Sequence, residues 1–348
     1  MAVTPKSTLA LVARRAKTSV ATASKVLNGR PGVSEATRAK VRQAIDDLGY
    51  RPSTPRADEP GRAVTRITAI FRDLDATMYC AHILDAMLRE ARAQDVQVIV
   101  RLLGPLSDGD RRRMNRWARS LLGGGCQGAV FITSNLSREQ IDACERVGLP
   151  LVAVDCDSLL DAGIVSISSN NFNGGYLAVR HLLDLGHRRI GLMIGRQSSA
   201  FARERHHGMV AAFRDAGLDV PGELVVQAGF TPQDGLNAGS RLLALDPRPT
   251  GIVANCDGSA LGILAAAHEA GVEVPGDLSV VGFDGTAQSL WSTPRLTTVA
   301  QPLADIGRLT VTTIRQLIDG QMPYSHHVQL AAQLERREST APPRSETI

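Results

Sequence analysis

Polar and aromatic residues follow several short apolar runs in the core of the chain, where they could bind a small molecule. Arg205 lies on a helical segment after "IGLMIG", Phe230 follows "LVVQAG", and Asp284 ends "LSVVGFD". Carboxylates and amides chelate adjacent hydroxyl groups, an arginine pairs with ring or hydroxyl oxygens, and an aromatic face stacks on a ligand. This combination favours a polyol. The candidate binding residues are Asp73, Tyr79, Asn171, Arg205, Phe230, Cys256, Asp257, Asp284 and Trp291.

Alternating strand and helix patterns, which begin near Thr65, must position these residues. The predicted strands are "RITAIF", "VQVIV", "GAVFIT", "LVAVD", "IGLMIG", "LVVQAG", "GIVAN" and "LSVVGFD", and helical patterns such as "HILDAMLREARAQ" and "YLAVRHLLDLG" lie between them. Repeated strand–helix units form parallel sheets with right-handed crossovers. Their number indicates two similar lobes. Ligands bind beyond the carboxyl ends of such strands, so a cleft between the lobes would collect the candidates.

Several candidates also have a purely structural interpretation. Phe230 could belong to the core of a lobe, since aromatic residues are usually buried. Asp284 could cap the next helix, and Asp257 has the better position for doing so. Arg205 could be a surface charge, and Trp291 could pack at a crossover between the lobes instead of lining the cleft.

Charge is distributed unevenly along the 348 residues. Residues 1–66 contain 13 Lys/Arg and 5 Asp/Glu, a net charge of +8, whereas the remainder contains 26 basic and 30 acidic residues. A basic head on a mildly acidic body predicts a polyanion partner for the head alone. The alternative is a solvated basic tail, but the helical pattern of the head argues against it.

Composition limits the class of protein. Apolar residues make up 43% of the chain but aromatic residues only 4%, which favours helices packed closely on parallel sheets. The five cysteines are scattered without a CxxC pair, so we expect reduced thiols rather than a disulfide framework. We find no signal-peptide pattern and no run long enough to span a bilayer, and therefore expect a cytoplasmic protein.

The sequence of the basic head predicts three short helices. "STLALVARRA" begins with a possible N-cap serine, and its apolar residues recur with helical spacing. After "KTS", Ser19 can cap a second helix by accepting a hydrogen bond from the N–H of Thr22, and a third helix starts at Ser34. This is the helix-turn-helix plan, in which the second helix enters the major groove of DNA. The alternative is a plain three-helix bundle without a ligand.

Small side chains on the second helix suit close approach to DNA. Hydroxyl groups there can donate to phosphates, Val20 and Ala21 can touch thymine methyl groups, and Lys25 can reach guanine or a phosphate. The candidate DNA-binding residues of this segment are Ser19, Val20, Ala21, Thr22, Ser24 and Lys25.

The chain resembles the lactose-repressor (LacI/GalR) family. The matching blocks are "LALVARRAKTSVATASKVLNGRPGVSEATRAKVRQAIDDLGYRP", "HLLDLGHRRIGLMIG", "DLSVVGFDG", "PRLTTVAQPLADIG" and "RRESTAPP". The resemblance implies a transcription regulator, commonly a repressor, with a helix-turn-helix headpiece and a two-lobed α/β core like that of periplasmic sugar-binding proteins. It also implies a homodimer that reads a near-palindromic operator.

Family positions can be carried over to this chain. The base-reading pair falls on Val20 and Ala21 and the following reader on Lys25, while phosphate contacts fall on Ser19, Thr22, Ser24 and Asn28. Family effector positions fall on Arg205, Phe230 and Asp284.

The resemblance also implies the domain boundaries. We expect a headpiece at 1–52, a hinge at 53–65 and a core at 66–348. The expected first lobe comprises about 66–163 and 296–323, and the second about 164–290 and 326–340.

The sequence departs from the family pattern at three places. "ATMY" replaces the usual "NPFF"-type turn, which leaves Tyr79 as the aromatic residue there, and Cys256 stands where many relatives carry Asn. The loss of that amide disfavours an ordinary hexose, and we expect a carbohydrate or glycoside effector. In the hinge, Glu59 takes the place of the leucine wedge and two prolines limit any helix. We therefore predict a short or extended linker in which Arg56 touches DNA.

Other protein classes are less consistent with the sequence. "GGGCQG" precedes a strand, and no GxxxxGK[ST] loop or GxSxG elbow is present, so we predict no enzyme and no cofactor. The histidine pairs lack metal-ligand spacing. A sugar-binding transport protein remains the alternative, although it would not explain the basic head. Since no heptad repeat follows "RREST", we predict a dimer whose headpiece spacing depends on effector binding.

Overall fold

The computed structural model of the protein describes residues 9–27, 32–47, 64–71, 78–103, 111–134, 136–156 and 164–344. The chain divides into a unit of residues Met1–Ala63 and a unit of residues Val64–Ile348, called here the headpiece and the core. This division falls inside the predicted hinge. Three predicted site residues, Asn28, Arg56 and Asp73, lie outside the described residues, and so does the segment 48–63 that includes the predicted hinge substitutions.

The headpiece contains three helices, α1 (Leu9–Arg15), α2 (Val20–Leu27) and α3 (Glu35–Asp47). Their buried side chains form one small cluster of Val12, Ala13, Ala16, Ala23, Val26, Val41 and Ala44. Because most of these side chains are small, the three helices can pack closely around so few residues. The predicted apolar faces of all three helices thus meet.

The core is built on two six-stranded sheets. The strands are β1 (Thr65–Phe71), β2 (Val96–Leu102), β3 (Gly128–Ile132), β4 (Leu151–Val154), β5 (Val165–Ser169), β6 (Ile190–Ile194), β7 (Val225–Gln227), β8 (Gly251–Val253), β9 (Ser279–Asp284), β10 (Thr297–Ala300), β11 (His327–Leu330) and β12 (Gln333–Glu335). The first sheet has the order β11-β5-β4-β3-β1-β2, and the second has the order β12-β10-β9-β8-β6-β7. All pairings are parallel except β10 with β12.

Helices cover both faces of each sheet. They are α4 (Met78–Ala93), α5 (Arg111–Gly123), α6 (Arg138–Arg146), α7 (Asn171–Asp184), α8 (Ala200–Asp215), α9 (Pro232–Leu243), α10 (Asp257–Glu269), α11 (Gln288–Trp291) and α12 (Leu303–Ile318). In the first lobe α4 and α12 pack on one face of the sheet and α5 and α6 on the other. In the second lobe α7 and α8 lie opposite α9 and α10. The central strands are buried on both faces, which explains their continuous apolar runs.

The lobe boundaries differ from the predicted ones at three strands. β5 and β11 pair with each other in the first sheet, although residues 164–169 and 326–330 were predicted for the second lobe. β10 pairs in the second sheet, although residues from 296 were predicted for the first. The residue pattern of a short strand does not specify which strand it pairs with, so these exchanges could not be predicted from local sequence.

All five cysteines are free thiols, as predicted, and four of them are buried. Burial, together with the neighbouring Cys126, raises the pKa of Cys144 to about 12, which keeps that thiol protonated. Among the described helices, none is both long and apolar enough to cross a bilayer.

Two glycines bring α7 and α8 into unusually close contact. A Cβ on Gly175 would lie 2.1 Å from the carbonyl oxygen of Arg205, and one on Gly208 would lie 1.9 Å from that of Phe172. Any larger residue would therefore force the helices apart. Since Arg205 projects from α8 and Asn171 begins α7, this contact also sets the distance between their side chains.

Gly208→Ala should lower the free energy of unfolding of the core by about 1–3 kcal/mol or more, because α8 has to move away from α7. Urea denaturation followed by circular dichroism measures this change. Gly123→Ala is the control, since a Cβ at this helical position has no neighbour within 4 Å. The control should stay within about 0.5 kcal/mol of the wild type. Equal stability of the two variants would contradict the proposed role of the contact.

Candidate functional site

The N-terminus of α2 is capped as the sequence predicts. The N–H of Thr22 donates to Oγ of Ser19 over 3.0 Å, and the two hydroxyl groups lie 2.8 Å apart. Lys17, in the turn between α1 and α2, has a positive φ of 52°, a conformation that the sequence analysis did not anticipate. The cap and the turn fix the direction in which α2 leaves α1.

One face of α2 is open to solvent. Ser19, Val20 and Lys25 are exposed, and Val20 keeps 50% of its surface accessible. Thr22 and Ser24 are partly buried, and Ala21 belongs to the same helix. An exposed apolar residue between hydroxyl groups and a lysine has the chemistry for contact with thymine methyl groups, phosphates and guanine.

In the core, three strand ends carry residues in a strained backbone conformation. Thr133 after β3, Asp155 after β4 and Asp284 at the end of β9 have φ values of 49°, 45° and 104°. Residues other than glycine rarely adopt positive φ, and such strain concentrates at functional sites. Asp155 and Asp284 are also 6% and 5% exposed, so both carboxyl groups are almost fully buried.

Arg205 of α8 is at the centre of a buried polar cluster. Its Nε donates to Oδ1 of Asn171 over 2.8 Å, its Nη1 donates to the carbonyl oxygen of Asn255 over 2.7 Å, and its Nη2 lies 3.5 Å from Oδ1 of Asp284. The guanidinium carbon lies 3.7 Å from the centroid of the Phe283 ring. With 5% of its surface exposed, Arg205 is not a surface charge.

The cluster closes into a ring that includes two points where the chain passes between the lobes. Ser169 Oγ, at the end of β5, hydrogen bonds to Oε1 of Gln301, and Nε2 of Gln301 donates to Oδ1 of Asp284 over 2.7 Å. Asp284 contacts Arg205, Arg205 contacts Asn171, and Nδ2 of Asn171 donates to the carbonyl oxygen of Ser169 over 3.1 Å. The ring therefore joins the binding candidates to two of the three crossovers in the described core, the third being the connection between β11 and β12.

The first lobe contributes Tyr79 and Asp155. The Tyr79 hydroxyl, on α4, donates to Oδ2 of Asp155. Burial raises the pKa of Tyr79 well above its usual range, and the negative charges of Asp155 and Asp284 raise it further. The guanidinium of Arg205 has the opposite effect and lowers this pKa.

Burial also raises the pKa of Asp284, to about 7, although Arg205 and Gln301 oppose the shift. Asp257 differs in its environment. Its Oδ2 accepts hydrogen bonds from the N–H and hydroxyl of Thr286, and its Oδ1 accepts one from Thr298. Asp257 thus fixes the turn that follows Asp284 and has both carboxylate oxygens engaged. It does not cap α10, as the structural alternative had it, because Cys256 is the N-cap of that helix.

A pair of aromatic rings lies next to Arg205 on the second lobe, with the centroid of Phe201 5.5 Å from the guanidinium carbon. The centroids of Phe201 and Phe230 lie 5.9 Å apart at an interplanar angle of 44°, and both side chains are half-buried. Cys256 is buried at the N-cap of α10, and its thiol donates to the carbonyl oxygen of Phe230 over 3.1 Å. Phe230 is therefore a partly open ring that packs against Phe201 instead of a core residue.

The structure brings most of the predicted core residues together. Tyr79, Asn171, Arg205 and Asp284 belong to the polar cluster, with Phe230 on its flank. Trp291 does not share these contacts: its indole, at the end of α11, is 76% exposed. Among the described residues, no group of three or more histidine, cysteine, aspartate or glutamate side chains could hold a metal ion.

Sequence reasoning missed five members of the cluster: Asp155, Ser169, Phe201, Asn255 and Gln301. Asp155 had a detectable signal, since it directly follows the buried strand "LVAV" as Asp284 follows "SVVGF". Ser169, Asn255 and Gln301 had none, because each is recruited by hydrogen bonds between residues distant in the sequence.

Two family models match the chain. Residues 8–53 match bacterial regulatory proteins of the lacI family, and residues 179–340 match the periplasmic binding protein-like domain. The first range spans the three helices of the headpiece, and the second lies in the core.

Similar proteins cover nearly the whole chain. Catabolite control protein A of Priestia megaterium is 30% identical over 94% of this chain and 98% of its own length. The HTH-type transcriptional repressor PurR of Pectobacterium atrosepticum is 30% identical over 96% and 97%.

Two solved structures of transcription regulators are also similar. The complex of the transcriptional regulator CelR with cellobiose has a TM-score of 0.71 at 27% identity and covers 96% of this chain and 99% of its own. The lac repressor dimer bound to operator and the anti-inducer ONPF has a TM-score of 0.70 at 26% identity, with the same coverage.

The stability of the ligand-free core should depend on pH through Asp284. Its pKa rises from 3.8 to about 7 on folding, so between these values the folded core holds a proton that the unfolded chain has released. The free energy of unfolding therefore falls as pH rises through this window. Asp284→Asn should remove that contribution, which amounts to at most about 4 kcal/mol.

Urea denaturation at pH values from 4 to 8 measures the difference between wild type and variant. The control is Asp219→Asn, since Asp219 is exposed. The control should follow the wild-type curve, whereas parallel curves for the wild type and Asp284→Asn would contradict the assignment.

Proposed function

Because this chain belongs to the LacI family of bacterial regulatory proteins, we propose that an effector bound by its Arg205–Asp284 cluster controls the affinity of its headpiece for operator DNA. Membership confirms the resemblance predicted from the sequence, as well as the two-lobed α/β fold with a helix-turn-helix headpiece. The protein is a DNA-binding transcription regulator, as its relatives are, and the alternative of a transport protein is not supported.

The exposed face of α2 is the DNA-reading surface in this proposal. Val20 and Ala21 contact base edges, Lys25 is the next reader, and Ser19, Thr22 and Ser24 hold phosphates. The capped N-terminus and the open Val20 side chain support this assignment. A helix with short side chains at its start can approach the floor of the major groove.

The proposed effector is a carbohydrate or glycoside bound between the lobes. The single observation that carries this part is the buried contact of Arg205 with Asn171 and Asp284, because it offers donors and acceptors on one side of a ring-stacking pair. Arg205 and Asp284 would pair with hydroxyl groups, while Phe201 and Phe230 would cover an apolar face of the sugar. Tyr79 and Asp155 would complete the site from the first lobe.

The mechanism follows from the ring that contains two of the three crossovers. A ligand that withdraws Arg205 or Asp284 from the ring changes the hydrogen bonds of Gln301 and Ser169, at the points where the lobes are joined. If the protein is a homodimer, as we propose, a change in lobe angle alters the spacing of its two headpieces. Only a ligand with different affinities for the two arrangements can shift DNA binding.

The DNA part is tested with genomic fragments selected by binding to the full chain. Val20→Asp should lower the affinity by at least about tenfold, since a carboxylate on α2 loses an apolar contact and is repelled by phosphates. Ala39→Asp places the same charge on an exposed position of α3 and should change the affinity by less than about threefold. Equal effects of the two variants in fluorescence anisotropy would exclude α2 as the reader.

The effector part is tested by a thermal-shift screen against a sugar panel that includes cellobiose, followed by DNA release. Arg205→Met should abolish both the thermal shift and the ligand-dependent release. Arg214→Met, on an exposed position of the same helix, is the matched control and should respond as the wild type does. An unchanged response of Arg205→Met would remove this residue from the site.

A further inference from the structure

The outer side of α5 concentrates arginine in a core that is otherwise slightly acidic. The helix has the sequence "RRRMNRWARSLLG", with five arginines and no acidic residue. Its apolar residues Met114, Ala118 and Leu121 are buried against the first sheet. Packing therefore accounts for one side of α5 and leaves the arginine-rich side without a structural role.

Two guanidinium groups on this side are available to a partner. Arg116 and Arg119 are exposed, and neither forms an ion pair or a hydrogen bond with any residue that the structure describes. Because they are three positions apart, both emerge from the same side of the helix. The neighbouring α6 has two arginines and three acidic residues, so the excess of positive charge belongs to α5.

A cavity opens beside these arginines. Its volume is about 380 Å³, its accessible wall is mostly carbon, and it is lined by Arg113, Arg116, Trp117 and Ser120. Arg113 is engaged in a further interaction, so it serves as a wall of the cavity and not as a free charge. Ser120 Oγ donates to the carbonyl oxygen of Trp117 over 2.6 Å, which leaves the cavity with little hydrogen-bonding capacity of its own.

Trp117 holds the floor of this cavity in place. Its ring packs at a tilt on Phe131 of β3, with the centroids 6.1 Å apart, while the residue as a whole is only half-buried. The neighbouring α6 is tied to α5 by the 3.0 Å hydrogen bond from Nε of Arg146 to Oδ1 of Asn115. The cavity is therefore supported from the core and from the adjacent helix.

The combination of cavity and charge selects one kind of partner. A small molecule is disfavoured, because ligand pockets bury most of the ligand and this cavity is lined from one helix. A DNA duplex would satisfy the arginines through its phosphates, but its backbone has no side chain to fill a carbon-lined cavity. A protein segment supplies both carboxylates and an apolar anchor. Tryptophan and arginine are also enriched among the residues that dominate binding at protein interfaces.

We propose that the outer side of α5 is a docking site for an acidic segment of another protein, in which carboxylates surround one aromatic or aliphatic anchor residue. The anchor enters the cavity at Trp117, and the carboxylates pair with Arg116 and Arg119. The site lies on the face of the first sheet opposite α4, the helix that carries Tyr79, and is separate from the effector cluster. A regulator with this site holds a second protein on its first lobe.

A phage-displayed library of short random peptides tests the proposal on the full chain in the absence of DNA. Counter-selection on Arg116→Gln/Arg119→Gln removes peptides that bind elsewhere, including those that bind the basic headpiece. The surviving peptides should carry aspartate or glutamate around an aromatic or aliphatic residue. Counter-selection on Arg214→Gln/Arg241→Gln is the matched control, since it removes two charges from exposed positions of α8 and α9. That control retains the site and should therefore eliminate the same peptides.

The cavity is tested separately with a fluorescein-labelled peptide from the selection. Ser120→Leu fills the cavity from an exposed position without changing the charge. It should weaken binding by at least about threefold in fluorescence anisotropy, because the anchor loses its apolar contact. Replacement of the anchor by alanine in the peptide should weaken binding to the wild type by a similar factor and have little further effect in Ser120→Leu.

Several results would overturn the proposal. Selection might yield no surviving peptide, or peptides without carboxylates, or peptides whose anchor can be replaced by alanine without loss; each result removes the acidic segment as the occupant. If Arg116→Gln/Arg119→Gln weakens binding of non-operator duplex DNA while Ser120→Leu has no effect on any peptide, the face binds nucleic acid instead. If the same double substitution abolishes self-association of the full chain in sedimentation experiments, the occupant is a second copy.

Discussion

The buried guanidinium of Arg205 is the constraint on which the core site depends. An arginine with 5% exposure has to be neutralised and hydrogen bonded, since an unpaired buried charge is not tolerated. The structure meets this demand with Asn171 from one crossover, a backbone oxygen at the end of β8 and Asp284 from β9. These partners come from three separate parts of the chain, so the position of one side chain fixes how several strand ends and helices meet.

Close packing of α7 and α8 makes that position possible. The backbone carbonyl of Arg205 occupies the space that a side chain at Gly175 would need, and Phe172 occupies the space at Gly208. The helices can thus place Nε of Arg205 within 2.8 Å of Asn171 without long side chains between them. The position of Arg205 thus depends on glycine at positions 175 and 208, where any side chain would keep the helices apart. Both glycines support the site without contributing a side chain to it.

Patterns among neighbouring residues predicted much of the fold and several site residues, whereas contacts between distant residues left no pattern in the sequence. The cap of Thr22 by Ser19 depends on residues three positions apart, and strand-end positions pointed to Arg205 and Asp284. Gln301 could not be predicted, since its partners lie 17 and 132 residues away. The three exchanged strands, β5, β10 and β11, escaped prediction for the same reason: a strand of four or five residues specifies its faces but not its neighbour.

The ring of hydrogen bonds gives the proposed regulation a physical basis that a cleft alone would lack. Ser169 and Gln301 lie where the chain leaves one lobe for the other; Gln301 donates a hydrogen bond directly to Asp284, and Ser169 is linked to Asp284 through Gln301. A ligand on Asp284 therefore competes for an atom whose other partner helps to define the crossover. Coupling between a binding site and a lobe angle requires such a shared group, because a ligand can shift an equilibrium only by interacting differently with its two states.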